Sequence, residues 1–178
     1  MTYGKDGDTT PAHVSTNQLS VTHDILREAF RRHAEGVTII TTVDEFGNEM
    51  GITATAVTSG SLDPPLMVVC IGNRSWMLGP LTAGASFIVH FLAAEQEHIA
   101  RQFSHPGPDK FEGTSYQFAR SGCPRLGGVL ASLECVFHAS YPCGDHIIVI
   151  GRVVDVRLSA EADSALVFFD GQLISFAS

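Results

Sequence analysis

Only four cysteines occur in 178 residues, Cys70, Cys123, Cys135 and Cys143, and no two of them are spaced as C-x-x-C. That spacing suits zinc or a redox pair, so neither is expected and no metal site is assigned. No apolar run approaches the ~20 residues that cross a bilayer, so no membrane span is expected. The first residues, MTYGKDGDTTPAHVSTNQLS, contain no apolar signal core. A cytoplasmic protein with four reduced thiols is the expectation. Positive charge is scarce as well, with 11 Lys+Arg against 19 Asp+Glu and a net charge of −8. No basic stripe can neutralise phosphates, which argues against nucleic acid as a partner. G-x-G-x-x-G after a strand, G-x-x-x-x-G-K-[ST], G-x-S-x-G and H-E-x-x-H are all missing. Dinucleotide-fold, P-loop, hydrolase and zinc-protease readings therefore have no support.

What remains is a globular chain, 44% hydrophobic and 17% charged, long enough for one sizeable core. Residues 1–20 read as a mobile arm and residues 21–178 as a single domain. Thr22 is a good N-cap, and Ile25, Leu26, Ala29, Phe30 and His33 share one helical face. A helix over 23–35 is predicted, lying on a sheet. Val37–Val43 is β-branched at every position and reads as a strand. Strands are also predicted over 51–62, 66–71, 86–92, 130–140, 146–156 and on both sides of Asp170-Gly171. Short helices are predicted over 76–81, capped by Ser75, and over 95–103. Gly151 inside its strand predicts a bulge. Asp-Gly between apolar runs predicts a two-residue hairpin. The sum is a mainly β protein: an antiparallel barrel, closed or split, with a few short helices.

One stretch is unusual for a strand. Gly51–Pro65, GITATAVTSGSLDPP, is built from small and hydroxyl residues instead of bulky ones. Small residues let a ligand approach the backbone, and hydroxyls and N–H groups beside it can bind phosphate or ring heteroatoms. A Thr/Ser-rich surface strand is the alternative reading of the same composition.

Five segments, taken in order, resemble the flavin reductase-like family, the small reductase components of two-component flavin-dependent monooxygenases. They are GVTIITT at 36–42, GITATAVTSGSLDPP at 51–65, NRSW at 73–76, FLAAEQEHIARQFS at 91–104 with DKFEG at 109–113, and GDHIIVIGRVVDV at 144–156. The resemblance runs from about Phe30 to Phe176. Thr55 stands where the family usually has asparagine, and Cys143 where it often has glycine.

The resemblance implies an FMN-binding split barrel, a homodimer, and an NAD(P)H:flavin oxidoreductase that supplies reduced flavin to a partner monooxygenase. FMN or FAD would accept the hydride, and NADH or NADPH would donate it. Such chemistry belongs to the cofactors and needs no nucleophile, consistent with a sequence that offers none. By resemblance, Thr38, Ile39, Ile40 and Thr41, with Thr53, Ala54 and Thr55, would line the isoalloxazine. Ser59, Gly60 and Ser61, with Asn73, Arg74 and Ser75, would hold phosphate. Phe103 and Phe111 would shield the ring, although core packing is the alternative for both. His146, flanked by Gly144 and Asp145, would donate a hydrogen bond to the nicotinamide carboxamide. Its alternative is a structural histidine bonded to Asp145. A non-catalytic flavin-binding barrel, a sensor or carrier, is the other functional reading. Trp76 would either stack on the adenine of FAD or sit at a dimer seam, with nothing in the sequence to choose between them, and the role of Cys143 is not readable.

Overall fold

The computed structural model describes residues 21–107 and 109–176. The arm expected over 1–20 lies outside them. Strand β1 (Glu35–Gly36) leads into β2 (Thr38–Val43), β3 (Glu49–Ala54), β4 (Val57–Leu62) and β5 (Pro65–Gly72). After β6 (Phe87–Phe91) come the short β7 (Tyr116–Phe118) and β8 (Pro124–Leu126). The long strands β9 (Ala131–Cys143) and β10 (His146–Leu158) follow, and then the pair β11 (Ala165–Phe169) and β12 (Gln172–Phe176). Helices are α1 (His23–Arg31), α2 (Leu78–Thr82) and α3 (Glu97–Ser104).

Seven strands form one antiparallel sheet in the order β3-β2-β6-β9-β10-β5-β4. Its two outermost strands, β3 and β4, are consecutive in sequence. Only Thr55 and Ala56 separate them, so a two-residue crossing spans from one edge of the sheet to the other. The sheet therefore curls nearly shut and stays split along these edges. Its inward side chains form one cluster: Ile40, Met50, Met67, Val69, Ile71, Phe87, Val89, Cys135 and Val149, with Met77 and Leu81 from the α2 region. A cluster drawn from nearly every strand of one sheet requires that curl. The split barrel expected from the sequence is the fold.

β2 is buried on both faces. Ile40 points into the barrel, while Ile39 joins a second cluster outside it with Leu92, Ile99, Phe103, Leu126 and Leu166. That outer layer consists of α3, β8 and the small sheet β1-β11-β12. Gly151 breaks the β9–β10 register, as predicted. A Cβ there would overlap the Phe87 ring and lie 2.8 Å from the Cys135 Cβ. Asp170 and Gly171 both have positive φ (48° and 79°), the signature of a type I′ hairpin.

α1 differs from expectation. The helix forms, and Thr22 Oγ1 accepts its cap bond from the Ile25 N–H (3.3 Å). Among the described residues it lies on no sheet, and none of its own residues is buried. Only its C-terminal end is held, by the Asp170 N–H donating to Arg31 O (2.8 Å) and by Arg31 Nη2 donating to Asp170 O (3.1 Å). Ile25, Leu26 and Phe30 remain exposed. Amphipathicity predicts a buried face but not which surface buries it.

Candidate functional site

The crossing between β3 and β4 lies at the centre of the candidate site. Ile39 O is turned to the far side of β2, where His90 Nδ1 meets it at 3.0 Å. The Ile39–Thr53 pair is thus not hydrogen-bonded across β2–β3, and Thr53 turns its N–H and C=O to the open edge of the sheet. Gly51, two residues earlier, points the same way and gives its carbonyl to Lys110 Nζ (3.1 Å). The Thr53 hydroxyl is engaged elsewhere, donating to Ala100 O (2.6 Å). Beyond Ala54 the chain leaves the sheet. Thr55 O accepts from Val57 N (2.7 Å), and Ala56 O accepts from Cys70 N (2.9 Å). A cleft of about 330 Å³ opens here, lined by Thr53, Ala54 and Thr55, by Ala100, Arg101 and Ser104 of α3, and by Phe168, Gly171 and Leu173 of the β11–β12 hairpin.

On the other side of the crossing, β5 runs from Cys70 to Gly72 and into Asn73-Arg74-Ser75. This loop is tied to the β9–β10 turn. Asn73 N donates to Asp145 O (2.9 Å), and Asn73 Nδ2 donates to Gly144 O (3.3 Å). Gly144 has φ +62° and Asp145 has no positive φ, which suits a type II′ turn with glycine first. That turn fixes His146 opposite Gly72, with Nε2 3.8 Å from where a Cβ of residue 72 would lie, an ordinary contact distance. Asp145 Oδ1 is 2.7 Å from His146 Nδ1. The His146 hydrogen bond, then its charge, lower the Asp145 pKa below the usual value, with a smaller effect from Arg74. An ionised carboxylate only accepts, so Nδ1 carries a proton. Nε2 makes no hydrogen bond among the described residues.

Lys110 links this region to the outer layer. Its Nζ is buried, donates to the carbonyls of Gly51 (3.1 Å) and Phe103 (2.9 Å), and lies 4.9 Å from the centroid of the Trp76 ring. Burial lowers its pKa. In the sequence Lys110 stood out only as part of DKFEG. Arg101 and Ser104 carried no signal beyond the helix that holds them.

The structure brings together Thr53, Ala54 and Thr55 on one side of the crossing, and Asn73, Arg74, Gly144, Asp145 and His146 on the other. Other expected residues lie elsewhere. Thr38 to Thr41 sit between β3 and β6, are buried, and use their backbone in both ladders. The hydroxyls of Thr38 and Thr41 donate to the carbonyls of Ala54 and Pro124. These residues carry the strand behind the site and present no free polar group to a ring. Ser59, Gly60 and Ser61 stand opposite Leu66 and Met67 at the start of β5, whereas Arg74 and Ser75 follow its end. Six strand steps, about 20 Å, separate the two groups, so they cannot share one phosphate. Ser75 does not cap a helix either. Its Oγ accepts from Met77 N (3.3 Å), and α2 begins at Leu78 and makes little more than one turn. Phe103 is fully buried and packs edge-on against Phe111 at 5.0 Å. Gly51 is small because the Phe103 ring fills the space of its Cβ. Phe103 is thus a core residue. Cys143 is an exposed free thiol.

A curled antiparallel sheet, split along a small-residue crossing, with a Gly-Asp-His turn beside the end of β5, is the architecture of the flavin reductase class. The chain belongs to the flavin reductase like domain family, whose model matches residues 30–177. It is similar to a probable flavin reductase of Rhizobium meliloti (strain 1021), with 38% identity over 128 residues, 72% of this chain and 41% of the relative. The chain thus spans less than half of that relative's length. Its structure resembles that of the Streptomyces globisporus NADH:FAD oxidoreductase in complex with NAD and FAD fragments (TM-score 0.81, 35% identity, covering 86% of this chain and 92% of the other). It also resembles the flavin reductase component of a bacterial two-component tryptophan halogenase (TM-score 0.76, 35% identity, 86% and 97% covered). Among the described residues, no helix is long and apolar enough to cross a membrane.

Proposed function

We propose that this chain is an NAD(P)H:flavin oxidoreductase that binds FMN or FAD at the split of the barrel and releases it reduced to a partner monooxygenase or related oxidative enzyme. When bound, the flavin accepts a hydride, two electrons with one proton, from the reduced nicotinamide. The observation that carries this reading is that the end of β5 ties both motifs together: Cys70 N donates to Ala56 O beside the open backbone edge at Thr53–Thr55, and Asn73 N donates to Asp145 O beside His146.

The residues fit such a ligand. A planar ring with donors and acceptors along one edge suits the free N–H and C=O of Thr53. Arg74 supplies charge for a phosphate, whereas Arg101 in the cleft wall is paired with Glu97 (2.7 Å) and Ser104 Oγ donates to Arg101 O (2.6 Å). His146, its Nδ1 held by Asp145, orients the nicotinamide carboxamide by a hydrogen bond through Nε2. Stacked rings with reacting atoms about 3–3.5 Å apart are the requirement these groups serve.

A C₂ homodimer and a cytoplasmic location belong to the same reading. The exposed apolar face of α1 supports the first, and four free cysteines support the second.

The test is steady-state oxidation of NADH and NADPH by purified protein with FMN and FAD titrated separately. Flavin-dependent, saturable turnover supports the reading. Flavin binding with no turnover for any pair overturns it and leaves a non-catalytic flavin-binding barrel.

A further inference from the structure

Lys110 is a buried cation with no carboxylate partner among the described residues. An ammonium has three donors. Two go to the carbonyls of Gly51 (3.1 Å) and Phe103 (2.9 Å), and the nitrogen lies over the Trp76 ring, 4.9 Å from its centroid. A desolvated ammonium over an indole is among the stronger contacts open to either group. One face of Trp76 is therefore held by the protein. The residue is still 45% exposed, although a large aromatic ring is ordinarily well covered. Lys110 also fixes where that exposed surface lies. By bonding Gly51 O it anchors the indole at the open edge of β3, two residues (about 7 Å) from the free backbone groups of Thr53. Arg74 is two positions before Trp76 in the same loop. Gln102 completes the frame, since its Nε2 donates to Lys110 O (2.9 Å) and Glu112 O (2.8 Å) and holds the 109–113 loop that carries the lysine.

We propose that the exposed face of Trp76 is a stacking platform for a planar ring of the bound nucleotide, and that Lys110 is the positioning residue that holds the indole there. The shared chemistry is a flat heteroaromatic ring with a π-face open to stacking. It can come from the isoalloxazine of either flavin or from an adenine of FAD or of the nicotinamide nucleotide. The proposal rests on the flavin-binding reading above.

Trp76 is the single tryptophan of the chain, so its emission reports on the platform alone. Wild-type protein is titrated with FMN, FAD, AMP and NAD⁺ while tryptophan emission is followed. Quenching by FMN and FAD to similar depth assigns the isoalloxazine, and quenching by FAD and AMP but not FMN assigns an adenine. Flavin Kd is then measured by flavin fluorescence anisotropy. Trp76→Ala weakens binding of the stacked ligand by on the order of tenfold, while Trp76→Phe retains most of the affinity. Lys110→Met lowers the emission anisotropy of Trp76 and raises the KM for flavin severalfold with kcat kept at saturation. Lys110→Arg restores both. Unchanged flavin Kd together with an unchanged KM for NADH in Trp76→Ala, with flavin-dependent NADH oxidation intact, overturns this proposal and leaves the reductase reading standing. Quenching and a Kd change without NADH oxidation support the platform and count against the reductase reading instead.

Discussion

Gly51 and Gly151 are both small because an aromatic ring occupies the space of their missing Cβ, Phe103 in one case and Phe87 in the other. Gly151→Ala is expected to lower the stability by about 1–3 kcal/mol through overpacking, seen as a lower urea midpoint with an unchanged slope. The bulge at Gly151 was legible in the sequence, because glycine weakens a strand interior and is kept there chiefly for a bulge or a close approach. The reason for Gly51 was not, since it is a ring 52 residues away. At His146 the partner is the adjacent residue, and the bond to Asp145 that the sequence offered as an alternative is present, with Oδ1 2.7 Å from Nδ1. His146→Ala is expected to raise the KM for the nicotinamide nucleotide by up to about tenfold and to leave flavin Kd within about twofold. Equal loss in both parameters would place His146 at the flavin instead.

At the scale of elements, the barrel strands were legible because each is a β-branched or apolar run bounded by turn residues. The β7–β8 pair was missed, since three-residue strands carry too little pattern. The most instructive difference concerns phosphate. Ser59–Ser61 and Arg74–Ser75 look alike in sequence and flank the same strand, but β5 is eight residues long and holds them apart. Strand length, not composition, decides which hydroxyls can act together. α1 is the complementary case, a helix whose sequence states that one face is buried while the described chain buries none of it. If that face lies against a second copy, Phe30→Asp is expected to shift the protein from dimer to monomer in light scattering with its circular dichroism retained. A wild-type monomer at micromolar concentration would contradict that contact.

For the whole molecule, one buried histidine sets the acid limit. His90 is fully buried where β2, β6 and β8 meet. The Leu126 N–H donates to its Nε2 (3.1 Å), and its Nδ1 donates to Ile39 O (3.0 Å), so the ring is neutral. Burial above all, with a further push from the Arg125 charge against the pull of the Ile39 carbonyl, lowers its pKa from 6.5 to about 4. Between those values the unfolded chain binds the proton and the folded one does not. The stability contribution is therefore complete above about pH 6.5 and is lost as pH falls towards 4. The interval corresponds to on the order of 3 kcal/mol. Urea melts from pH 7 to 4.5 should show this slope, and His90→Asn, which does not titrate there, should flatten it. Arg125 adds a buried ion pair to the same region, its Nη2 bonded to Glu134 (2.6 Å) and Asp155 (2.7 Å). None of this network was legible, because it joins residues far apart in sequence.

The central claim is that flavin and nicotinamide meet across the Thr55–Ala56 crossing, with His146 on the nicotinamide side. Anaerobic rapid mixing of NADH with flavin-loaded protein, followed by loss of oxidised-flavin absorbance, tests it most directly. In the wild type the reduction rate should saturate with NADH. In His146→Ala the half-saturating concentration should rise by up to about tenfold while flavin stays bound. Flavin that remains oxidised at every NADH and NADPH concentration, or a dependence identical in the two proteins, would contradict it.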